Sequence, residues 1–351
     1  MKKFSLNNPN DIRIGQILDA NLDRAREGLR VLEDWARFGL GEDKLVIKLK
    51  NFRQILGKYH IQEYKDSRNF TKDTSIGLGH HAQQSRTSID QLLSANSSRV
   101  QEALRVIEEY SRNIDKELSN LSAKIRYEIY QLEIELLNCS SNKELLEVIL
   151  NNNLYFISNH SPNIIQIIES VLKGGVKIIQ HRFKNGNDLE NLQDAKKIRR
   201  LCNEFKALFI VNDRVDIAIA CDADGVHLGQ DDIDIKSARK ILGFSKIIGV
   251  SANKSSEIKK AVENGCDYLG IGPVFETQTK KDKEPLGIKR IKKITENLSI
   301  PFFVIGGIKT DKILSLRENG LMKVAVISDI ANSVNPKEKA MMLIKELSNE
   351  N

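Results

Sequence analysis

Residues 209–233 read F-I-V-N-D-R-V-D-I-A-I-A-C-D-A-D-G-V-H-L-G-Q-D-D-I, and their alternation of apolar runs with acids decides the fold. One short apolar run ends on Asn212 and Asp213, an amphipathic turn of helix follows, and a second run beginning at Gly225 ends on Asp231 and Asp232. Strand, helix, strand is the smallest parallel unit, and it brings the carboxyl ends of its strands to one face of the sheet. Asp213 and Asp232, nineteen residues apart in sequence, can therefore meet in space. Oxygen ligands without nitrogen or sulfur suit Mg²⁺, which keeps waters and binds through one or two carboxylates plus substrate phosphates. Either acid alone reads as a helix cap; the pair reads as a metal site.

Working outward, eight β-rich runs separated by helical stretches fall at 154–158, 177–183, 207–211, 225–229, 246–250, 268–272, 301–306 and 323–327. Eight such units in about 200 residues predict a compact (β/α)8 TIM barrel over residues 141–351, whose active site belongs at the carboxyl ends of the strands. The second strand ends Gln180, His181, Arg182, Phe183, Lys184. Alternation puts Gln180, Arg182 and Lys184 on one side, and His181 and Phe183 on the other, under the helices. Polar groups turned into a barrel mouth are costly unless they meet a ligand, and Arg with Lys fits a pyrophosphate. The fifth strand delivers Ser251, the sixth runs into Thr277, Gln278, Thr279 and Lys280, the seventh ends at Gly306 and Gly307, and the eighth ends at Ile327 and Ser328. Loops after strands seven and eight are where this fold holds phosphate, so the sequence predicts two anion sites, one with metal and one without.

Residues 1–140 are predicted to be all-α with an internal repeat. Residues 20–37 and 95–112 agree at nine of eighteen positions, and apolar residues at helical spacing make both copies helices. Segments 45–59 and 118–137 continue as helices, giving two similar hairpins, and a long helix is expected to end at the boundary, 139–143. Asn21 and Arg24 recur as Asn96 and Arg99; these pairs either converge on a ligand or satisfy helix backbone and set register. Glu27, Arg30, Glu33 and Arg37 fall on the opposite arc and read as a surface ion-pair ladder. Between the copies, residues 66–84 form a polar, Gly-rich loop with Arg68, Lys72, His80 and His81, read either as a phosphate-closing loop or as a connector.

Composition narrows the classes. The net charge of +7 is spread through both halves and aromatics are only 6%, which disfavours nucleic acid and leaves small anionic substrates. No run approaches the length of a membrane span and no signal-peptide core follows the start, so a cytoplasmic protein is expected. Cys139, Cys202, Cys221 and Cys266 are too irregularly spaced for a disulfide framework or a zinc site. A homo-oligomer is compatible with all of this.

Q-x-R-x-K, V-N-D-R-V-D-I-A, A-D-G-V-H-L-G-Q-D-D, G-P-V-F-x-T-x-T-K, I-G-G-I and V-I-S stand in this order over residues 141–345. In them the chain resembles thiamine-phosphate synthase. The resemblance implies that 4-amino-2-methyl-5-(diphosphooxymethyl)pyrimidine is joined to 4-methyl-5-(2-phosphoethyl)thiazole, or its carboxylated form, to give thiamine phosphate with release of pyrophosphate. It implies that Gln180, Arg182, Lys184 and Asn212 hold the pyrimidine diphosphate, with the whole run from Gln180 to Lys184, His181 and Phe183 included, counted as substrate-binding and with Arg182 and Lys184 catalytic. Asp213 and Asp232 would bind Mg²⁺ and Ser251 would contact the same substrate. Thr277, Gln278, Thr279, Lys280, Gly307, Ile327 and Ser328 would hold the thiazole phosphate. His181, Ser158 with Asn159, and Asp329 depart from the family pattern and put local packing in question. The helical part resembles a domain fused to this synthase in cyanobacteria and linked to phosphorylating the pyrimidine monophosphate, although it contains no G-x-x-x-x-G-K-[ST] loop. A thiazole tautomerase or a non-catalytic precursor sensor of the same fold would not need the two acids or the Arg182 and Lys184 pair.

Overall fold

The computed structural model describes residues 9–67, 86–159, 161–184, 186–277 and 284–348. It divides into two compact units, Met1–Ser140 and Ser141–Asn351.

In the first unit, α1 (Pro9–Asp34) passes directly into a π-helical turn, Trp35–Leu40, and α2 (Asp43–Tyr59) and the short α3 (Gln62–Asp66) follow; α4 (Ile89–Ser111) and α5 (Lys116–Asn151) complete the set among the described residues. The two repeat copies lie on α1 and α4, which cross closely at Gly28. A Cβ there would sit 2.6 Å from Val100 Cγ2, so the small residue fixes how near the helices approach. Leu18, Leu22, Leu29 and Leu32 from α1 and Leu93, Val100, Leu104 and Ile107 from α4 are fully buried in one core, as their spacing requires.

Two expectations change here. Glu33 pairs with Arg30 at 3.7 Å as the ladder predicts, yet it is not a surface residue: it is 4% exposed and accepts from Arg53 of α2 at 2.8 Å. Its repeat partner Glu108 does the same with Arg126 of α5 at 3.1 Å, so the repeat preserves a buried interhelical ion pair. The long helix does not end at 139–143 either; α5 continues to Asn151. Ser140 stays helical by donating to Leu136 O, and its Oγ accepts from Trp35 Nε1 at 3.0 Å, so packing overrides weak local propensity. Asn21 and Asn96, both buried, donate to the carbonyls four residues back at 2.8 Å and accept from Arg24 and Arg99. The satisfied-backbone alternative therefore accounts for the asparagines. Of the stretch 66–84 expected as a loop, Asp66 ends α3, and Arg68, Lys72, His80 and His81 lie outside the described residues.

The second unit is a closed barrel of eight parallel strands, paired in sequence order with β1 against β8. The strands are β1 (Leu154–Ile157), β2 (Ile178–His181), β3 (Leu208–Asn212), β4 (Gly225–Leu228), β5 (Ile247–Ala252), β6 (Tyr268–Ile271), β7 (Phe302–Ile305) and β8 (Val324–Val326). Each overlaps its predicted run. Phe156, Ile179, Phe209, Val226, Ile248 and Val304 pack outward beneath the helices. Tyr155, Ile178, Ile210, Ile247, Tyr268 and Phe303 form a separate interior cluster. This is the period-two division of a barrel, and it places the groups next in register on the mouth.

Candidate active site

The carboxyl ends of the strands surround a cleft that opens to solvent, the place where this fold binds its substrates. Gln180, Arg182, Asn212 and Ser251 line one part of it; Thr277, Gly307, Ile327 and Ser328 line another. The expected groups are thus brought together from β2, β3, β5 and the loops after β6, β7 and β8. Gln278, Thr279 and Lys280 lie outside the described residues.

Arg182 is aimed by the strand before its own: its backbone N–H donates to Ser158 Oγ at 3.0 Å. That bond explains a serine at 158. Lys184 reaches across to donate to Asp213. Asp213 adopts φ 62°, a left-handed conformation that side chains other than Asn and Asp seldom take, and its N–H donates to His227 O at 2.9 Å. Asp232 accepts from Gly229 N–H at 2.6 Å, folding the β4 loop back so that its carboxyl meets that of Asp213. Burial raises the pKa of Asp232, and its hydrogen bond with Asp213 raises it further. For Asp213 burial also pushes upward, but the Lys184 ammonium and the hydrogen bond from Asp232 together outweigh it and hold that carboxyl below the ordinary range. Two carboxylates that close share a proton or a cation.

The structure brings neither His181 nor Phe183 to the cleft, which corrects their inclusion in the substrate-binding run. His181 is 2% exposed beneath the helix Asp188–Glu204, with Nε2 3.0 Å from Asn191 Oδ1, and burial lowers its pKa. The Phe183 ring lies against it, 5.9 Å between centroids. Alternation along β2 dictates both positions. Asp329, another departure, accepts from Thr310 Oγ1 at 3.0 Å and pairs with Lys339 at 3.3 Å, so it ties down the backbone behind Ser328.

Sequence reasoning passed over His227, Tyr155 and Tyr268, which also belong to the interior. His227 and Tyr155 line the cleft, and Tyr268 joins them by hydrogen bonds. Alternation within G-V-H-L carried the signal: with Val226 and Leu228 outward, His227 must face in.

Fold and site together define the second unit as a (β/α)8-barrel enzyme acting on small molecules. Residues 154–330 match the family described as Thiamine monophosphate synthase, and residues 16–135 match the ThiD2 family. Thiamine-phosphate synthase of Prochlorococcus marinus subsp. pastoris is 59% identical over 351 residues, all of both chains. That of Synechococcus sp. (strain CC9311) is 44% identical over 96% of this chain and 97% of its own. Among solved structures, thiamine phosphate pyrophosphorylase from Pyrococcus furiosus is similar at a TM-score of 0.53 and 37% identity, over 56% of this chain and 97% of that one. The chain belongs to the thiamine-phosphate synthase family, transferases of thiamine biosynthesis. No helix among the described residues is long and apolar enough to cross a membrane.

Proposed function

We propose that the barrel couples the pyrimidine diphosphate to the thiazole phosphate by a dissociative route. The observation that carries this reading is the meeting of Asp213 and Asp232 beside Lys184, next to Asn212 and near enough to Arg182, both of which line the cleft, for the Asp213 charge to act on the guanidinium. The donor set is oxygen only and two carboxylates face each other, which fits Mg²⁺. Mg²⁺ held there supplies charge neutralisation for the diphosphate. Arg182 and Lys184 stabilise the charge that develops on the departing pyrophosphate, and Gln180, Asn212 and Ser251 orient the pyrimidine. As the methylene C–O bond breaks, pyrophosphate leaves with the electron pair, and the 4-amino lone pair stabilises the cation left on the pyrimidine. The thiazole nitrogen then donates its own lone pair to form the C–N bond, so no general base is required. Thr277, Gln278, Thr279, Lys280, Gly307, Ile327 and Ser328 hold the thiazole phosphate in line for that attack. The test is incubation of the purified chain with both substrates and Mg²⁺, following thiamine phosphate and pyrophosphate together. Equal yields of both, abolished by EDTA and restored by excess Mg²⁺, are expected; tautomerisation of the thiazole without coupling would sink the reading.

For the helical unit we propose a phosphorylating role towards the pyrimidine monophosphate, which would supply the barrel's diphosphate. It is supported by the match to the ThiD2 family and by the exposed Arg24 and Arg99, each tethered to a buried asparagine. The competing view is an accessory module that shapes or oligomerises the chain. Arg24→Ala with Arg99→Ala should abolish diphosphate formation while the far-ultraviolet circular dichroism stays unchanged; full activity in that double variant supports the accessory role. We further propose that the chain works in the cytoplasm and binds small molecules and no nucleic acid, as its dispersed charge suggests.

A further inference from the structure

We infer that a one-way chain of hydrogen bonds inside the barrel fixes which donor and which acceptor the cleft shows to the pyrimidine, with Tyr155, Tyr268 and His227 as positioning residues that select a 4-amino ring over a 4-oxo ring. The inference rests on the proposed placement of the pyrimidine against Gln180 and Ser251.

Five residues from five strands form the chain. Gln180 Nε2 donates to Tyr155 OH at 2.8 Å, Tyr155 OH lies 2.9 Å from Tyr268 OH, Tyr268 OH lies 3.0 Å from His227 Nδ1, and His227 Nε2 lies 2.9 Å from Ser251 Oγ. Its direction follows from counting protons. An amide nitrogen only donates, so the Tyr155 oxygen accepts from Gln180 and its single proton goes to Tyr268. Tyr268 in turn has one proton, which goes to His227 Nδ1. A neutral imidazole with Nδ1 accepting carries its hydrogen on Nε2 and donates to Ser251. The Ser251 proton is thereby directed away from the ring. The cleft receives an acceptor, Gln180 Oε1, at one end and a hydroxyl donor, Ser251, at the other.

An aminopyrimidine is the complement of that pair: its exocyclic amine donates and its ring nitrogen accepts. A 4-oxo pyrimidine inverts both: its oxygen meets the Gln180 acceptor, and its ring N–H meets a serine oxygen that must first turn its own proton aside. Removing the clash at Gln180 would require reversing its amide, and with it two phenols and the imidazole tautomer at once, which makes the chain a single device.

Two features separate this from ordinary satisfaction of buried tyrosines. Tyr155 and Tyr268 could satisfy each other, yet the chain runs on at both ends to residues that line the cleft. Neighbouring strands also leave the rings room: a Cβ on Gly249 would lie 2.1 Å from Tyr268 Cζ, and one on Gly270 would lie 3.0 Å from His227 Cε1. Burial raises the pKa of both phenols, so their protons stay in place across the physiological range.

The test uses two matched inhibitors, the 4-amino and the 4-oxo pyrimidine with a methylene bridge to the diphosphate, from which no pyrophosphate can leave. Their inhibition constants against the pyrimidine diphosphate read recognition free of the electronic effect of the amine on bond breaking. In the wild-type chain the 4-amino compound should bind roughly 100-fold or more tightly than the 4-oxo compound. Tyr268→Phe, Tyr155→Phe and His227→Leu each break the chain and should bring the two within roughly 5-fold of each other. His227→Gln keeps an acceptor and a donor at the spacing of the ring nitrogens and should restore most of the preference. An unchanged KM for the thiazole phosphate confirms that each variant is folded. A preference that survives all three breaking variants overturns the inference. Failure of the 4-amino compound to compete in a wild-type chain that couples its substrates overturns instead the placement of the pyrimidine.

Discussion

Asp213→Asn is expected to lower kcat for thiamine phosphate formation by about 10³-fold or more while leaving the melting temperature of the barrel nearly unchanged. The choice of asparagine follows from the backbone. At φ 62° Asp213 is left-handed, and asparagine is the other residue that tolerates this region, so the variant keeps shape and conformation and removes only charge. Asp213→Ala would confound the two by adding backbone strain. Without the Asp213 charge, Lys184 loses its partner and Asp232 faces a neutral amide, so the cation site retains one carboxylate. Raising Mg²⁺ should recover only part of the rate, because weaker binding can be overcome by mass action but a lost orienting ligand cannot. The measurement is kcat against Mg²⁺ concentration for wild type, Asp213→Asn and Asp232→Asn. Activity within about 10-fold of wild type at saturating Mg²⁺ in both variants would remove the carboxylate pair from catalysis.

What was legible in the sequence follows from which rule governed each residue. Strand ends were legible because a parallel barrel puts them on one face, so Asp213, Asp232, Arg182 and Ser251 could be gathered without coordinates. Sidedness along a strand was equally legible: alternation alone places His181 under a helix, as the structure does, and counting the whole Gln180 to Lys184 run as substrate-binding ignored it. Interior residues were less legible. Tyr155 and Tyr268 went unnoticed because a hydroxyl declares nothing until its partner, which comes from another strand, is known. Glu33 was misplaced for a related reason. Helical projection separates polar from apolar arcs, yet a polar position can be buried when a second helix brings an arginine, as α2 brings Arg53. The end of α5 was misjudged because Cys139 to Lys143 is poor in helix formers, while Trp35, distant in sequence, holds Ser140.

Gly307→Ala should raise the KM for the thiazole phosphate at least about 100-fold and leave the KM for the pyrimidine diphosphate within about 3-fold of wild type. Gly307 sits at φ 65°, and a Cβ there would lie 2.2 Å from Glu276 O and 2.9 Å from Phe275 Cβ. Both atoms belong to the loop after β6, which is joined to the Gly306–Gly307 turn by Val274 N–H to Ile305 O at 2.8 Å and Phe275 N–H to Gly306 O at 3.0 Å. That loop carries Thr277 into the cleft, so a methyl group at 307 displaces both sides of the proposed phosphate site together. Left-handed strain alone would also cost about 1–2 kcal/mol, so a loss of activity by itself would not locate the effect. Gly320 supplies the control: it lies at φ 76° with nothing within 4 Å of an added Cβ, so Gly320→Ala carries the strain without the collision. Gly320→Ala should lose stability by the strain alone and Gly307→Ala by more in urea denaturation, but only Gly307→Ala should lose affinity for the thiazole phosphate. Equal kinetic behaviour of the two would mean that the tight approach of the loops after β6 and β7 plays no part in holding the thiazole phosphate.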